Sequence, residues 1–113
     1  MNEEQQQKKN NYIMQLVTNA RAVISNQIEI PRGCLKANKI IHWLRPLDGP
    51  SYPIFEEYME ATSDLPIGDE RLHWNAERLK AQDIKLEKLN NKFRKKIMEA
   101  CQDIIQQYGG ENN

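Results

Sequence analysis

The sequence has no long apolar run. No stretch of about 18 apolar residues is present, and the N-terminus MNEEQQQKKNN lacks the apolar core of a secretory signal. Period-two alternation of apolar and polar residues is confined to the short QIEI. We therefore expect no membrane span and no secretory signal within these residues, and no β-sheet.

A net charge is also missing, because 16 basic side chains balance 16 acidic ones. Low net charge argues against global disorder, and the lack of a basic excess argues against a dedicated nucleic-acid binder. The charges are nevertheless grouped in blocks. Residues 51–70 carry six acidic side chains and no basic one, whereas residues 1–50 carry seven basic and four acidic ones, and residues 71–113 nine and six. We expect the acidic block to attract its basic neighbours in the folded chain.

Residues for metal binding or nucleophilic catalysis are few. Cys34 and Cys101 have no C-x-x-C spacing, so we interpret them as buried apolar residues of a reducing compartment. A zinc site needs four convergent ligands and a nucleophile needs an adjacent base, and the isolated His42 and His73 supply neither pattern. We predict no metal site, no cofactor and no catalytic residue, hence no enzyme. Convergence of these four side chains in space stays open, and with it the hypothesis of a metal-dependent enzyme.

Apolar residues recur at three- and four-residue steps, which predicts an all-α domain. We expect a small bundle of three shorter helices packed on one long C-terminal helix. Residues 1–11 form a polar segment that frays, extends the first helix or lies next to a membrane. Residues 12–108 form the single helical domain, and residues 109–113 form a disordered tail.

The second and third helices are predicted from their prolines. Pro31 is expected to open the second helix, which ends near Arg45 and whose apolar face comprises Leu35, Asn38, Ile41, Trp43 and Leu44. The corner 46–53 holds three prolines and a glycine and breaks the helix. Ser51 is the expected N-cap of the third helix, whose buried face comprises Ile54, Phe55, Tyr58, Met59 and Thr62.

The fourth helix is predicted to begin at the cap Asp69 and to end at Gly109-Gly110. Its apolar seam alternates steps of four and three residues. We interpret most of this seam as intramolecular packing. Because it exceeds what a short third helix can cover, a homodimer through the long helix is a further possibility. The seam residues are Leu72, Ala76, Leu79, Asp83, Leu86, Asn90, Phe93, Ile97, Ala100 and Ile104.

Two polar features of the long helix are candidate sites. The first is a basic stripe that could contact phosphate groups of RNA or anionic lipid, although a solvated helix face is the favoured interpretation. The second is a polar group on the seam, in which a buried Asp83 would need a partner such as Arg78 or Arg71. The stripe comprises Lys85, Lys88, Lys92, Lys95 and Lys96, and the polar group comprises Arg78, Asp83 and Glu87.

The order of these motifs resembles a known family. The segment IEIPRGCLKANKIIHWL is followed by YP-x-F with EEYMEAT, then LPI, and then a helix with ER-L-x-x-x-D-x-x-x-E. From about Tyr12 to Ile105 the chain is similar to a gamma-proteobacterial family, domain of unknown function 2489. The resemblance implies no activity and no catalytic residues. It does imply topology, since many members look like single-pass inner-membrane proteins with a hydrophobic helix before a Gln/Lys-rich stretch such as EEQQQKKNN.

Three function hypotheses follow. The favoured one is a non-enzymatic helical scaffold or adaptor of the bacterial cytoplasm that binds an unidentified protein partner. It would lie at the cytoplasmic face of the inner membrane if the full-length protein has an N-terminal anchor. The alternative is a module that contacts a membrane surface or nucleic acid through the basic stripe. The third is the metal-dependent enzyme.

Overall fold

The computed structural model of the chain describes residues 1–110, and within them all regular structure is helical. Two short 3₁₀ segments, Arg45–Leu47 and Gly68–His73, precede α3 and α4. This arrangement confirms the predicted all-α class with a long C-terminal helix packed against shorter ones. The four α-helices are α1 (Glu3–Ile24), α2 (Ile30–Leu44), α3 (Pro53–Ala61) and α4 (Ala76–Tyr108).

The core lies where α1 packs between α2 and α4, with α3 closing one side. Apolar positions on one face of each helix meet there because each α-helix returns to the same face every three to four residues. The buried aromatic residues both come from α3, namely Phe55 and Tyr58. Other core residues include Leu16, Ala20, Val23, Cys34, Ala37, Leu44, Ile97, Cys101 and Ile104.

The close contact between α1 and α2 depends on Gly33. A Cβ atom at this position would overlap the Val23 side chain, so any larger residue would require the Val23 side chain or the helix to move. The buried Asn19 of α1 donates its Nδ2 hydrogen bond to the Gly33 carbonyl oxygen at 2.9 Å, while its Oδ1 lacks a partner within the described residues. Small side chains thus set the spacing of this helix pair.

The polar N-terminal segment continues α1 outward from the core. Asn2 and Gln5 form a capping box, in which each side chain binds the backbone N–H of the other residue. Helix α1 therefore begins at Glu3 and includes most of the polar segment 1–11.

The predicted apolar face of α2 is wrong at two positions. Leu35 is 37% exposed and Trp43 is 42% exposed, whereas Ala37, Ile40 and Cys34 are buried. Small residues allow α2 to approach α1 closely, so the buried face turns toward them and away from the larger side chains. Trp43 instead packs against Tyr12 at a ring-centroid distance of 5.3 Å.

The expected cap of α3 is also wrong. Tyr52, not Ser51, is the N-cap residue, and no side chain caps this end, because Pro53 at the first helical position leaves one donor fewer to satisfy. Of the predicted buried face, Phe55, Tyr58 and Thr62 are buried, while Ile54 and Met59 are half-buried. The acidic block, residues 51–70, forms no direct ion pair with its basic neighbours within residues 1–110. The ion pair present there joins Arg71 and Asp83.

Helix α4 begins later than the sequence predicts. Asn75, not Asp69, caps it by accepting the Arg78 backbone N–H at 2.8 Å, and the extended backbone of Trp74 separates it from the 3₁₀ segment. At the other end Arg21 donates a 3.0 Å hydrogen bond to the Gly109 carbonyl oxygen, which ties the C-terminus of α4 to α1. The rest of the predicted tail, residues 111–113, lies outside the described residues.

Candidate protein-interaction surface

The first fourteen residues of α4, residues 76–89, pack poorly; we call them the arm. The buried residues of α4 are Ile97, Cys101 and Ile104, so the arm contributes none. Ile84 of the arm is 61% exposed. Leu79, Leu86 and Leu89 of the arm are half-buried. The arm therefore presents apolar surface that the rest of the described chain leaves uncovered.

The start of the arm is nonetheless well defined. The Arg78 guanidinium lies 5.0 Å from the centre of the Trp74 ring, in cation–π geometry. Glu77 lies in the first turn, where a carboxylate favours the positive end of the helix dipole. With the Asn75 cap, these contacts keep the arm helical although it buries little.

One ion pair ties the arm to the preceding segment. Arg71 donates two parallel hydrogen bonds to Asp83, at 2.7 and 3.0 Å. The hydrogen bond from Arg71 lowers the pKa of the Asp83 carboxyl below its usual value and raises that of the guanidinium. Because the two side chains remain 35% and 47% exposed, the pair is a surface contact that orients the segment more than it stabilises the fold.

This geometry separates the three residues of the predicted polar group. Asp83 pairs with Arg71, one of its two suggested partners, while Arg78 packs on Trp74 and Glu87 is exposed. The expectation of a buried carboxylate on the seam is wrong, since the seam opens to solvent at this height.

The five lysines of the predicted basic stripe are all exposed. Lys92 places its Nζ 5.7 Å from the centre of the Phe93 ring, and the stripe contributes no ion pair within the described residues. The stripe is therefore accessible over the length of α4 from residue 85 to residue 96.

A polar cleft of about 550 Å³ lies between the α1–α2 turn and the inner side of the arm. Its charges balance, because three arginines face three carboxylates, and this favours no ligand of one sign. The charged lining residues are Arg32, Arg71, Arg94, Glu29, Asp83 and Glu87.

The arm and the anchored half of α4, residues 97–108, are joined by residues 90–96, and Tyr58 of α3 makes two contacts with this connecting stretch. The Tyr58 hydroxyl donates a hydrogen bond to Asn90 Oδ1, and the Tyr58 ring packs edge-on against Phe93 at 5.7 Å. Within the anchored half, Tyr52 donates a 2.6 Å hydrogen bond to Asp103 Oδ2, which lowers the pKa of that carboxyl. On the C-terminal side of the Tyr58 contacts α4 has buried residues, whereas on the N-terminal side it has none.

Comparison with known protein families shows which family the chain belongs to. The model of a protein family of unknown function, DUF2489, matches residues 1–104. The chain belongs to this family. Searches of curated proteins and of solved structures give no match for this DUF2489 domain. No helix of residues 1–110 has the length and apolar character needed to span a membrane.

The two cysteines and two histidines of this DUF2489 domain, whose convergence the sequence leaves open, lie in different environments. Cys34 and Cys101 are buried, whereas His42 and His73 are exposed. Burial raises the pKa of Cys101 to about 11 and raises that of Cys34 further, with a contribution from the nearby Cys101. Both thiols are therefore protonated at neutral pH. Within the described residues no group of three or more metal-ligating side chains is assembled.

Sequence reasoning missed the face of the arm that points away from the core. Ile84 is not part of the predicted seam, and its exposure depends on which way α4 turns. A signal was available, because Glu77, Ala81, Ile84 and Lys88 repeat the four-three-four spacing of a second heptad stripe.

Proposed function

We propose that this chain is a non-enzymatic interaction domain of the bacterial cytoplasm and that it binds another protein chain through the arm. The observation that carries this proposal is the exposure of Ile84 on a helical segment that buries no residue. Apolar surface removed from water is worth about 25 cal/mol per Å², so a partner that covers the arm gains free energy that this fold leaves unused.

The anchoring of α4 supports the same function. The arm continues, without a break, a helix whose other end is fixed in the core by Ile97, Cys101 and Ile104. A preformed helix loses less conformational entropy on binding than a segment that must fold first. The arm is thus suited to helix-to-helix recognition of a partner.

Photo-crosslinking in living cells tests this function. A photoreactive phenylalanine analogue placed at residue 84 is expected to give a covalent adduct with a protein chain. The same analogue at Gln106, which is exposed on the anchored half, is the matched control and is expected to give little adduct. Equal yields at the two positions, or no adduct at residue 84, would contradict the proposal.

The exposure of the basic stripe favours a second candidate function, contact with an anionic surface such as RNA or lipid. Binding to an RNA homopolymer or to phosphatidylglycerol vesicles is then expected to fall as salt is raised. The double variant Lys92→Glu, Lys96→Glu is expected to lose it, whereas Lys36→Glu, Lys39→Glu on α2 makes the same charge change elsewhere and is expected to retain it. No binding at low salt would remove this candidate.

We further propose that the domain works at the cytoplasmic face of the inner membrane, the position that the resemblance to membrane-anchored family members implies. Fractionation of cells that express the full-length gene tests it. Recovery in the membrane pellet is expected, and release of the protein with the cytosolic fraction would contradict this location.

A further inference from the structure

The outward face of the arm has a pattern of its own. Glu77, Ala81, Ile84 and Lys88 follow one another at steps of four, three and four residues, and all four are exposed. At 100° per residue, Ile84 points about 140° away from the buried Ile97, so this outer face is turned away from the core. A helix laid along this face would therefore lie on the side of α4 opposite to the core.

We propose that the partner on this outer face is a second copy of the same chain, with its α4 antiparallel to the first. This inference rests on the proposed function of the arm. In an antiparallel pair the residues across the contact have numbers with a constant sum. With the sum of 165, Ala81 lies against Ile84 of the second copy, and Glu77 lies against Lys88 of the second copy. Twofold symmetry repeats both contacts, so a single stripe supplies both sides.

The charges select this orientation. In a parallel pair Glu77 would lie beside Glu77 of the second copy, and Lys88 beside Lys88 of the second copy. The antiparallel pair instead gives two attractive Glu–Lys contacts and places the apolar Ala81 and Ile84 between them. Neither Glu77 nor Lys88 forms an ion pair in residues 1–110, so both are available. Complementary charge beside a small apolar centre is how helix pairs define their partner and direction.

The charged residues beside the central stripe attract each other on one side of the contact and repel each other on the other side. Flanking residues pair at sums two above and two below that of the central stripe. Lys80 faces Glu87 of the second copy, which is attractive, whereas Arg78 faces Lys85 of the second copy, which is repulsive. Each contact occurs twice across the twofold axis. The repulsion is reduced because the Arg78 guanidinium packs on the Trp74 ring of its own chain. The pairing therefore has more attractive than repulsive contacts.

The contact is small, because Glu77 to Lys88 covers about three helical turns, or roughly 17 Å. Interfaces of this size are below the range of permanent dimers and give weak, reversible association. We expect the purified chain to be monomeric at about 10 μM and to dimerise as its concentration approaches about 1 mM.

Sedimentation equilibrium over this concentration range tests the dimer. Ile84→Glu is expected to raise the dissociation constant by at least about tenfold, because it puts a charge where apolar side chains meet. Gln106→Glu adds the same charge on the exposed side of the anchored half and is expected to leave the constant unchanged. A wild-type chain that stays monomeric at the highest concentration would overturn the inference, as would a dimer that Ile84→Glu leaves intact.

Charge reversal tests the register. Glu77→Lys alone and Lys88→Glu alone each put two like-charge pairs into the contact and are expected to weaken the dimer. The double variant restores opposite charges and is expected to recover wild-type association. Failure of the double variant to recover would overturn the antiparallel pairing, with circular dichroism showing that each variant remains helical.

The adduct mass at residue 84 separates this inference from the proposed function. A crosslinked species of twice the chain mass, reduced by Lys88→Glu, supports the second copy as partner. An adduct with a different protein, together with a monomeric purified chain, overturns the dimer but retains the interaction function. An arm that gives no adduct of either kind contradicts both.

Discussion

The two halves of α4 carry the same seam spacing but differ in burial. Ile97, Cys101 and Ile104 in the anchored half are buried, whereas the arm buries no residue. Helix α1 lies along the anchored half, and the Arg21–Gly109 hydrogen bond joins their ends. A heptad pattern thus tells which residues share a face, but the neighbouring element decides whether that face is covered.

The inner side of the arm is covered by the segment that precedes α4, and not by a helix. The segment before it turns back along its inner side and is held there by the Arg71–Asp83 ion pair. Surface pairs of this kind contribute little to stability. The difference between the halves teaches that one continuous helix can combine a structural end with an end left for association.

Thiol reactivity should show the largest difference between the halves. Cys101 is buried, and its pKa is raised to about 11, so at pH 8 it is both covered and protonated. We expect a thiol reagent to label Cys101 and Cys34 at least about a thousandfold more slowly than a cysteine introduced by Lys85→Cys in the arm, since labelling of the core requires unfolding. In denaturant all three should react alike. Rapid labelling of Cys101 in the native protein would show that the anchored half is no better protected from solvent than the arm.

Truncation of one isoleucine in each half should give the next largest difference. Ile104→Ala removes buried methyl groups and is expected to lower the free energy of unfolding by about 2–5 kcal/mol. Ile84→Ala removes a side chain that is 61% exposed and is expected to change it by no more than about 0.5 kcal/mol. Urea unfolding followed by circular dichroism, at dilute concentration, measures both. Similar losses for the two variants would refute the contrast.

The boundary between the halves can be weakened through one hydroxyl. Tyr58→Phe removes the hydrogen bond to Asn90 while keeping the buried ring, and we expect a loss of about 0.5–1.5 kcal/mol. Tyr12→Phe is the control, because the Tyr12 hydroxyl makes no hydrogen bond in the described chain, and its effect should be near zero. If Asn90→Ala adds its full cost to Tyr58→Phe, the two groups do not interact.

The ion pair of the arm should have the smallest effect. Asp83→Ala is expected to cost about 0.2–1 kcal/mol at low salt, less at high salt. Because Arg71 lowers the pKa of Asp83 in the fold, the contribution is present above the ordinary carboxyl pKa of about 3.9 and disappears as the pH falls through the lower folded-state value. Glu87→Ala, an exposed carboxylate without an ion pair in the described chain, is the control. A cost that persists at still lower pH would exclude the ion pair as its source.

Much of the fold was predictable from the spacing of apolar residues. The positions of α1, α2 and α3 follow from their periodicity and from the prolines that open or break helices. The start of α4 did not follow, since Asp69 and Asn75 are both suitable caps and the apolar spacing continues through Leu72. The choice depends on the extended backbone at Trp74 and on a contact across twelve residues, Arg71–Asp83.

The orientation of α2 shows a second limit. Leu35 and Trp43 suggest one buried face by size, whereas Gly33, Cys34 and Ala37 define the real one because they allow two helices to approach. Small residues carry little weight in a hydrophobic pattern, although close packing depends on them.

The candidate surface was predictable in part. The basic stripe is exposed as its composition indicates, but the polar group around Asp83 is not buried, and Ile84 lies outside the predicted seam. Exposure of the arm depends on how far α1 and α3 extend along α4, and this is a property of the assembled tertiary structure. The alternating spacing of Glu77, Ala81, Ile84 and Lys88 is visible in the sequence, yet it acquires meaning when that side of the helix is known to be free.

Because α4 is one continuous helix, the orientation of a partner bound at the arm is fixed relative to the core of the domain. Ile84 lies about 30 Å along the helix axis from Ile104, and each residue between them contributes about 100° of rotation. One residue inserted near Asn91 would rotate a partner bound at Ile84 by about 100°, more than a quarter turn. It would leave the buried Ile97, Cys101 and Ile104 in place but break the Tyr58–Asn90 hydrogen bond. The number of residues between Ile84 and Ile104 therefore determines both the distance and the rotation of a bound partner relative to the core.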